Sequence, residues 1–153
     1  MARRKFHSGF YKPVNPEKYI QPIDKTMNKN IYPEYRSSWE LHFYRFCDIS
    51  PSVKHWSTEY INIMYISPLD WKKHRYFPDV FVEFNNGQRV IIEIKPRKEK
   101  IIQENKRITD KMKNTYAVNQ AKWEAARIFA ESKGYKFVVM DEFDLGIKKR
   151  KKK

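Results

Sequence analysis

The sequence predicts an α/β fold, a small mixed β-sheet flanked by helices, on three observations. Asn85-Asn86-Gly87 separates two apolar runs, Asp79 to Phe84 and Arg89 to Lys95, which is a strong hairpin signal. Helical spacing of Trp39, Phe43, Phe46 and Cys47 precedes the hairpin, and that of Val118, Ala121, Ala125, Ile128 and Phe129 follows it. A length of 153 residues accommodates one domain with tails.

Residues 1–34 hold Pro13, Pro16, Pro22 and Pro33 with little periodicity. They read as an extended arm, wrapped on the domain through Phe10, Tyr11, Tyr19 and Ile20. The domain proper spans 35–147. Its first helix starts at Ser37, which has capping-box spacing to Glu40, and Pro51 closes that helix's neighbourhood. Residues 58–66 alternate around Ile61, Ile63 and Tyr65 and predict a strand, followed by a polar loop from Ser67 to Arg75. Pro96 ends the hairpin's second strand, and 97–113, mostly charged, predicts a mobile or partly helical connection. The long helix runs from about Thr115 to Lys133 and stops at Gly134. Lys136 to Met140 predicts a last short buried strand, and an acidic turn and the tail 148–153 follow.

The net charge of +14 and pI near 9.8 are the electrostatic footprint of a protein that meets a polyanion, most often nucleic acid. Six of the fourteen charges lie in the tail, whose Lys148, Lys149 and Arg150 are candidate phosphate contacts. A smaller cluster is Arg3, Arg4 and Lys5. Cys47 is the only cysteine, so no intrachain disulfide forms and the chain suits a reducing compartment. The four histidines show no zinc-like spacing. No apolar run predicts a transmembrane segment or a signal peptide, and no membrane partner is expected. Trp39, Trp56, Trp71 and Trp123 are read first as core or part-buried residues, with base stacking as their other use.

The hairpin carries the candidate chemistry. With a three-residue turn Phe84 pairs with Gln88, and counting down the antiparallel ladder sets Asp79 opposite Glu93. Lys95, two residues on, points to the same side. A two-residue turn would oppose Asp79 to Ile94 instead, and a bulge would also move the register. Val90, Ile92 and Ile94 form the other side; Ile91 shares the charged one, so that side is not simply solvent-facing. Two facing carboxylates need a positive partner, and hard oxygen donors suit Mg2+ with water and phosphate oxygens. Lys95 would steady phosphate charge or orient a water, giving a site for metal-assisted phosphodiester hydrolysis. Taken singly, two acids and a lysine are ordinary ladder residues.

Pro78-Asp79 followed by Glu93-Ile94-Lys95 resembles the PD-(D/E)xK signature of the restriction-endonuclease-like superfamily. The order helix, three strands, helix, strand from Ser37 to Met140 resembles that superfamily's core. YRSSWELHFYRFCD, WSTEYINIMYISPLDWKKHRYFPDVFVEF and VIIEIKPRK are most similar to the head completion nucleases of T-even-like tailed bacteriophages. They resemble more distantly the amino-terminal nuclease domain of the TnsA transposase subunit. Both resemblances imply a magnesium-dependent endonuclease acting on double-stranded DNA. The first also implies a place in head completion in the host cytoplasm, or in the virion, with portal or neck proteins as partners. Cutting both strands calls for two active sites, which a homodimer would provide.

In that pattern Glu40 joins Asp79 and Glu93 at the metal, although its spacing from Ser37 equally makes it a helix cap. Gln120 and Lys122 fall where related nucleases place residues facing the site or DNA; a solvated helix face is the plainer account. His74 and Arg75 precede the motif as candidate phosphate contacts or ordinary loop residues. The rival readings are a structural protein that binds DNA ends or the portal without catalysis, and a TnsA-like transposon-end nuclease.

Overall fold

The computed structural model describes residues 8–22, 32–100 and 107–147. The basic tail, with Lys148, Lys149 and Arg150, lies outside them, as do Arg3, Arg4 and Lys5. The chain runs through β1 (Gly9–Phe10), a 3-10 turn at Pro16–Lys18, β2 (Glu34–Tyr35), α1 (Ser38–Ile49), β3 (Val53–Thr58), β4 (Ile63–Ile66), β5 (Lys73–Tyr76), β6 (Val80–Phe84), β7 (Arg89–Ile94), α2 (Arg97–Lys100), α3 (Asp110–Lys133) and β8 (Lys136–Met140). The central sheet has four strands in the order β3-β6-β7-β8; β8 joins β7 in parallel and the other pairs are antiparallel. The sheet is therefore mixed, with a helix over each face, as the sequence predicts.

Strand alternation divides the core. Val80, Val82, Ile92 and Ile94 pack with Phe43, Tyr44 and Cys47 of α1. Phe81, Ile91 and Val139 point the other way and meet Trp123, Ala126 and Ala130 of α3. Ser37 caps α1 by accepting the Glu40 N–H at 3.1 Å, and Thr109 caps α3 through the Met112 N–H. Gly134, at φ 74, ends α3 as predicted.

Several sequence expectations are corrected. The stretch 58–66 is not one strand. Glu59 takes φ 49, and the chain breaks between β3, which the sequence did not predict, and β4. The end of the polar loop 67–75 belongs, with Tyr76, to β5, which pairs with β4 as a separate hairpin. α3 begins at Asp110, and its buried residues are Asn119, Trp123, Ala126 and Ala130, with Ile128 turned to solvent. β8 is a sheet edge: Val139 is buried, but Val138 is exposed. Of the four tryptophans, Trp56 and Trp123 are core, whereas Trp71 is 79% exposed.

The arm is tied down by an acid at the end of α1. Asp48 is fully buried and accepts from the Tyr11 hydroxyl at 2.6 Å, the Val14 N–H at 2.7 Å and the Asn15 N–H at 2.9 Å. Lys18 Nζ donates to the carbonyls of Asp48 and Ser50. Tyr11 and Tyr19 pack beside Trp56, and the Ile20 N–H donates to the Trp56 carbonyl, so the arm covers the β3 edge. Phe10 and Ile20 project outward instead of packing.

Burial pushes the Asp48 carboxyl up, but its hydrogen bonds and Lys18 outweigh that and hold it below the ordinary carboxylate range. Its stabilisation is thus present above about pH 4 and lost as pH falls through the lowered folded value. Asp48→Ala is expected to cost on the order of 3 kcal/mol in urea unfolding. It should also expose residues 8–22 to limited proteolysis; an arm that stays protected would rule this latch out.

Candidate active site

Pro78 cannot donate a ladder hydrogen bond, so regular pairing of β6 begins only at Val80. Val80 pairs with Ile92, Phe81 with Ile91 and Val82 with Val90, the register of a three-residue turn. That register persists one step past the strand. The Asp79 N–H donates to Glu93 Oε2 at 3.3 Å, and the Ile94 N–H donates to Asp79 Oδ2 at 2.8 Å. Asp79 and Glu93 face each other as the turn length predicts, and Lys95 Nζ lies 4.0 Å from Glu93 Oε1.

Glu93 and Lys95 lie on the α3 side of the sheet, beyond the buried row Phe81 and Ile91, and Asp79 also lines a pocket with Glu40 and Tyr44 of α1. Glu93 is 6% exposed, and the Tyr76 hydroxyl donates to its Oε2 at 2.8 Å. Burial pushes Asp79 well above the usual carboxylate range, and the Glu93 charge adds to the rise. Burial raises Glu93 as well, against the Tyr76 hydroxyl, Lys95, the Asp79 N–H and Lys122. Two buried carboxylates so placed resist losing both protons unless a cation joins them.

Hydrogen bonds among the described residues use Asp79 Oδ2 and Glu93 Oε2, which leaves Asp79 Oδ1 and Glu93 Oε1 as donors to a cation. Among the described residues no group of three or more His, Cys, Asp or Glu side chains forms a ready-made metal cage. Two hard carboxylates fit an ion of the magnesium type, which keeps waters and takes substrate oxygens to complete its shell.

Glu40 serves its cap and reaches the site's edge. Its Oε2 accepts from the Arg36 N–H at 3.3 Å and from the Ser37 hydroxyl at 3.5 Å. It also lines, with Thr58, Glu59 and Asp79, a polar pocket of about 10 Å³, room for roughly one water. Its charge raises Asp79 further. On the other side a groove of about 560 Å³ opens between Leu69, Lys95, Lys111, Asn119 and Lys122.

Lys122 is thus no remote helix-face residue: its Nζ lies 5.6 Å above the Tyr76 ring and 5.8 Å above that of Tyr65. His74 and Arg75 lie on β5 and point to opposite sides of the β4–β5 hairpin, His74 with Nε2 2.8 Å from Asp70. Gln120 is half-buried on α3.

Two residues of the site escaped sequence reasoning. Tyr76 falls between the loop predicted for Ser67 to Arg75 and the strand predicted from Asp79, in no predicted element. Asn119 is buried in the groove wall one turn before Trp123, and the available sign was a polar residue in register with the helix's apolar row.

Comparison with known proteins decides the lineage. The model of the TnsA-like endonuclease N-terminal family matches residues 50–142. A protein named head completion nuclease, from Enterobacteria phage T4, is 34% identical over 145 residues, covering 89% of this chain and 91% of its own. The chain belongs to the TnsA-like endonuclease family. The family domain has the restriction-endonuclease-like fold, and the order α1, β3, β6, β7, α3, β8 supplies that core here. Membership supports a nuclease role for the chain. Among the described residues no helix is long and apolar enough to cross a membrane.

The raised carboxyls have a consequence for the apoprotein. A folded state that holds a proton more tightly than the unfolded chain loses stability as pH rises, here from about pH 4 upward. Asp79→Asn is therefore expected to raise the melting temperature in EDTA at neutral pH, with the gain shrinking toward pH 4. A variant less stable than wild type at every pH would contradict the like-charge account.

Proposed function

We propose that this protein is a metal-dependent DNA endonuclease that processes the packaged DNA end during phage head completion. The observation that carries the reading is the facing pair Asp79 and Glu93 with Lys95 beside it, on a chain of net charge +14. Family membership and the printed name of the T4 relative support it.

Asp79 and Glu93 would hold the ion, with Glu40 in support from the adjoining pocket. A bound Mg2+ supplies positive charge to the phosphate and makes a water more acidic. The Tyr76 hydroxyl and the Ile94 N–H fix the orientation of the two carboxylates that would hold it. Lys95 steadies the charge that develops on the phosphate and orients the attacking water. The water oxygen bonds to phosphorus as the bridging P–O bond breaks; one water proton stays on the phosphate and the other is passed through solvent to the leaving oxygen. Lys111 and Lys122 line the groove that receives the DNA backbone, and His74, Arg75 and the basic tail add phosphate contacts outside it. Such contacts to phosphate confer affinity without sequence choice. The work is done in the host cell during assembly, in contact with portal or neck proteins, and two copies supply the two cuts of a duplex.

Purified protein should cut plasmid DNA with Mg2+ and not with EDTA. Asp79→Ala, Glu93→Gln and Lys95→Ala should each lower the rate by about a thousandfold or more. Mg2+ should raise the melting temperature of wild type but not of Asp79→Asn. If Asp79→Ala cuts as well as wild type, the hairpin is not the active site. Linear, nicked and branched substrates would separate end processing from transposon-end cutting, and intact plasmid under every condition would favour a structural end-binding role.

A further inference from the structure

The β4–β5 hairpin stands apart from the central sheet and has two unlike faces. Ile63, Tyr65 and Tyr76 turn toward α3 and join its core cluster. Met64 and Ile66, each about half exposed, turn outward, paired across the ladder with Arg75 and Lys73. At the tip, between Leu69 and Lys72, Trp71 is the most exposed large apolar side chain among the described residues.

That exposure is built. The Trp71 N–H donates to the Ser67 carbonyl at 2.8 Å, and the Ser67 N–H closes the loop on the Lys72 carbonyl at 3.0 Å. Asp70 accepts from the Lys72 N–H at 3.0 Å and lies 2.8 Å from His74 Nε2. These bonds hold Trp71 at φ 56, a left-handed conformation that is unfavourable for a non-glycine residue. An unfavourable backbone and a bare indole, fixed by a bonded loop, return nothing to the fold itself. The surrounding cations, Lys72, Lys73 and Arg75, complement a polyanion, and Leu69 of the same loop borders the groove of Lys95 and Lys122.

We infer that Trp71 stacks on an unpaired base at a DNA end or branch while Lys72, Lys73 and Arg75 hold the flanking phosphates. An indole face can stack on any base, but bases inside a continuous duplex are already stacked and unavailable. The contact therefore selects ends, tails and forks over uninterrupted duplex, and brings them to the groove beside Lys95. This inference rests on the reading that the protein acts on DNA.

The test is binding in EDTA to duplexes with a single-stranded tail, a fork, or both ends closed by hairpins, each carrying 2-aminopurine. Wild type should quench the probe in the tail and prefer tailed and forked DNA. Trp71→Ala should weaken those complexes by about ten- to a hundredfold and leave the closed duplex unchanged, while Trp71→Phe retains most of the preference. Circular dichroism checks that the variants fold. If Trp71→Ala binds all substrates as wild type does, or loses affinity for all equally, the inference is wrong; unchanged binding would assign the exposed tip to a protein partner. Plasmid cutting with Mg2+ reports separately on the nuclease: tail preference without cutting overturns the nuclease reading alone, and cutting without a Trp71 effect overturns only the stacking.

Discussion

The three residues that turn β6 into β7 determine which side chains meet at the site. The Phe84 N–H donates to the Gln88 carbonyl at 2.8 Å, the Gly87 N–H returns to the Phe84 carbonyl, and Gly87 takes φ 88 to close the loop. From that closure every pair down the ladder follows, ending with Asp79 against Glu93. A slip of one residue would send Glu93 into the apolar α1 core beside Phe43 and Val80, and turn Ile92 and Ile94 out of that core to the α3 side. The apolar rows on both faces thus enforce the same register as the turn. Core packing and site assembly are one constraint.

The α3 helix extends this coupling. Small residues at Ala126 and Ala130 let it approach the sheet closely, and Trp123 fills the space over Ile91. Residues one turn earlier on the same face must then project beyond the apolar row, and these are Asn119 and Lys122. They arrive at the groove because of where Trp123 packs. Tyr76 works similarly from the β4–β5 hairpin: its ring belongs to the α3 core while its hydroxyl reaches Glu93. A buried acid is tolerated because the elements that bury it also bring polar groups to it.

Local signals explain why the hairpin and its facing carboxylates could be read from the sequence. A turn motif between apolar strands sets a register, and the register sets the pair. The helix cap at Ser37 and the stop at Gly134 were legible for the same reason. What escaped depended on partners distant in the chain. Val53 to Thr58 lacks period-two patterning because the arm covers part of what should be its open side: Val53, Trp56, Ser57 and Thr58 are all buried. Lys73 to Arg75 reads as loop because all three residues are polar, although β4 pairs with them and with Tyr76. The packed face of α3 was misjudged because Asn119 breaks the apolar row there, and the groove is what accounts for it.

The position of Lys95 illustrates how far the site's frame extends. Its N–H donates to the Met140 carbonyl at 3.0 Å, which continues the parallel pairing of β7 with β8 beyond Ile94. Pro96 then prevents the strand from going on. The chain turning away is caught by the acidic segment after β8: the Arg97 N–H donates to Glu142, while Arg97 and Lys100 pair with buried Asp141 at 3.5 and 3.6 Å. Asp141 is itself oriented by the N–H groups of Phe143 and Asp144. A lysine at the end of a free strand would sample many positions. Here the backbone is held from both sides of Pro96, so only the side-chain torsions remain to be ordered when a phosphate arrives. The parallel strand at the sheet's edge, remote in sequence from the motif, thereby acts as the rail along which Lys95 is aligned with Glu93.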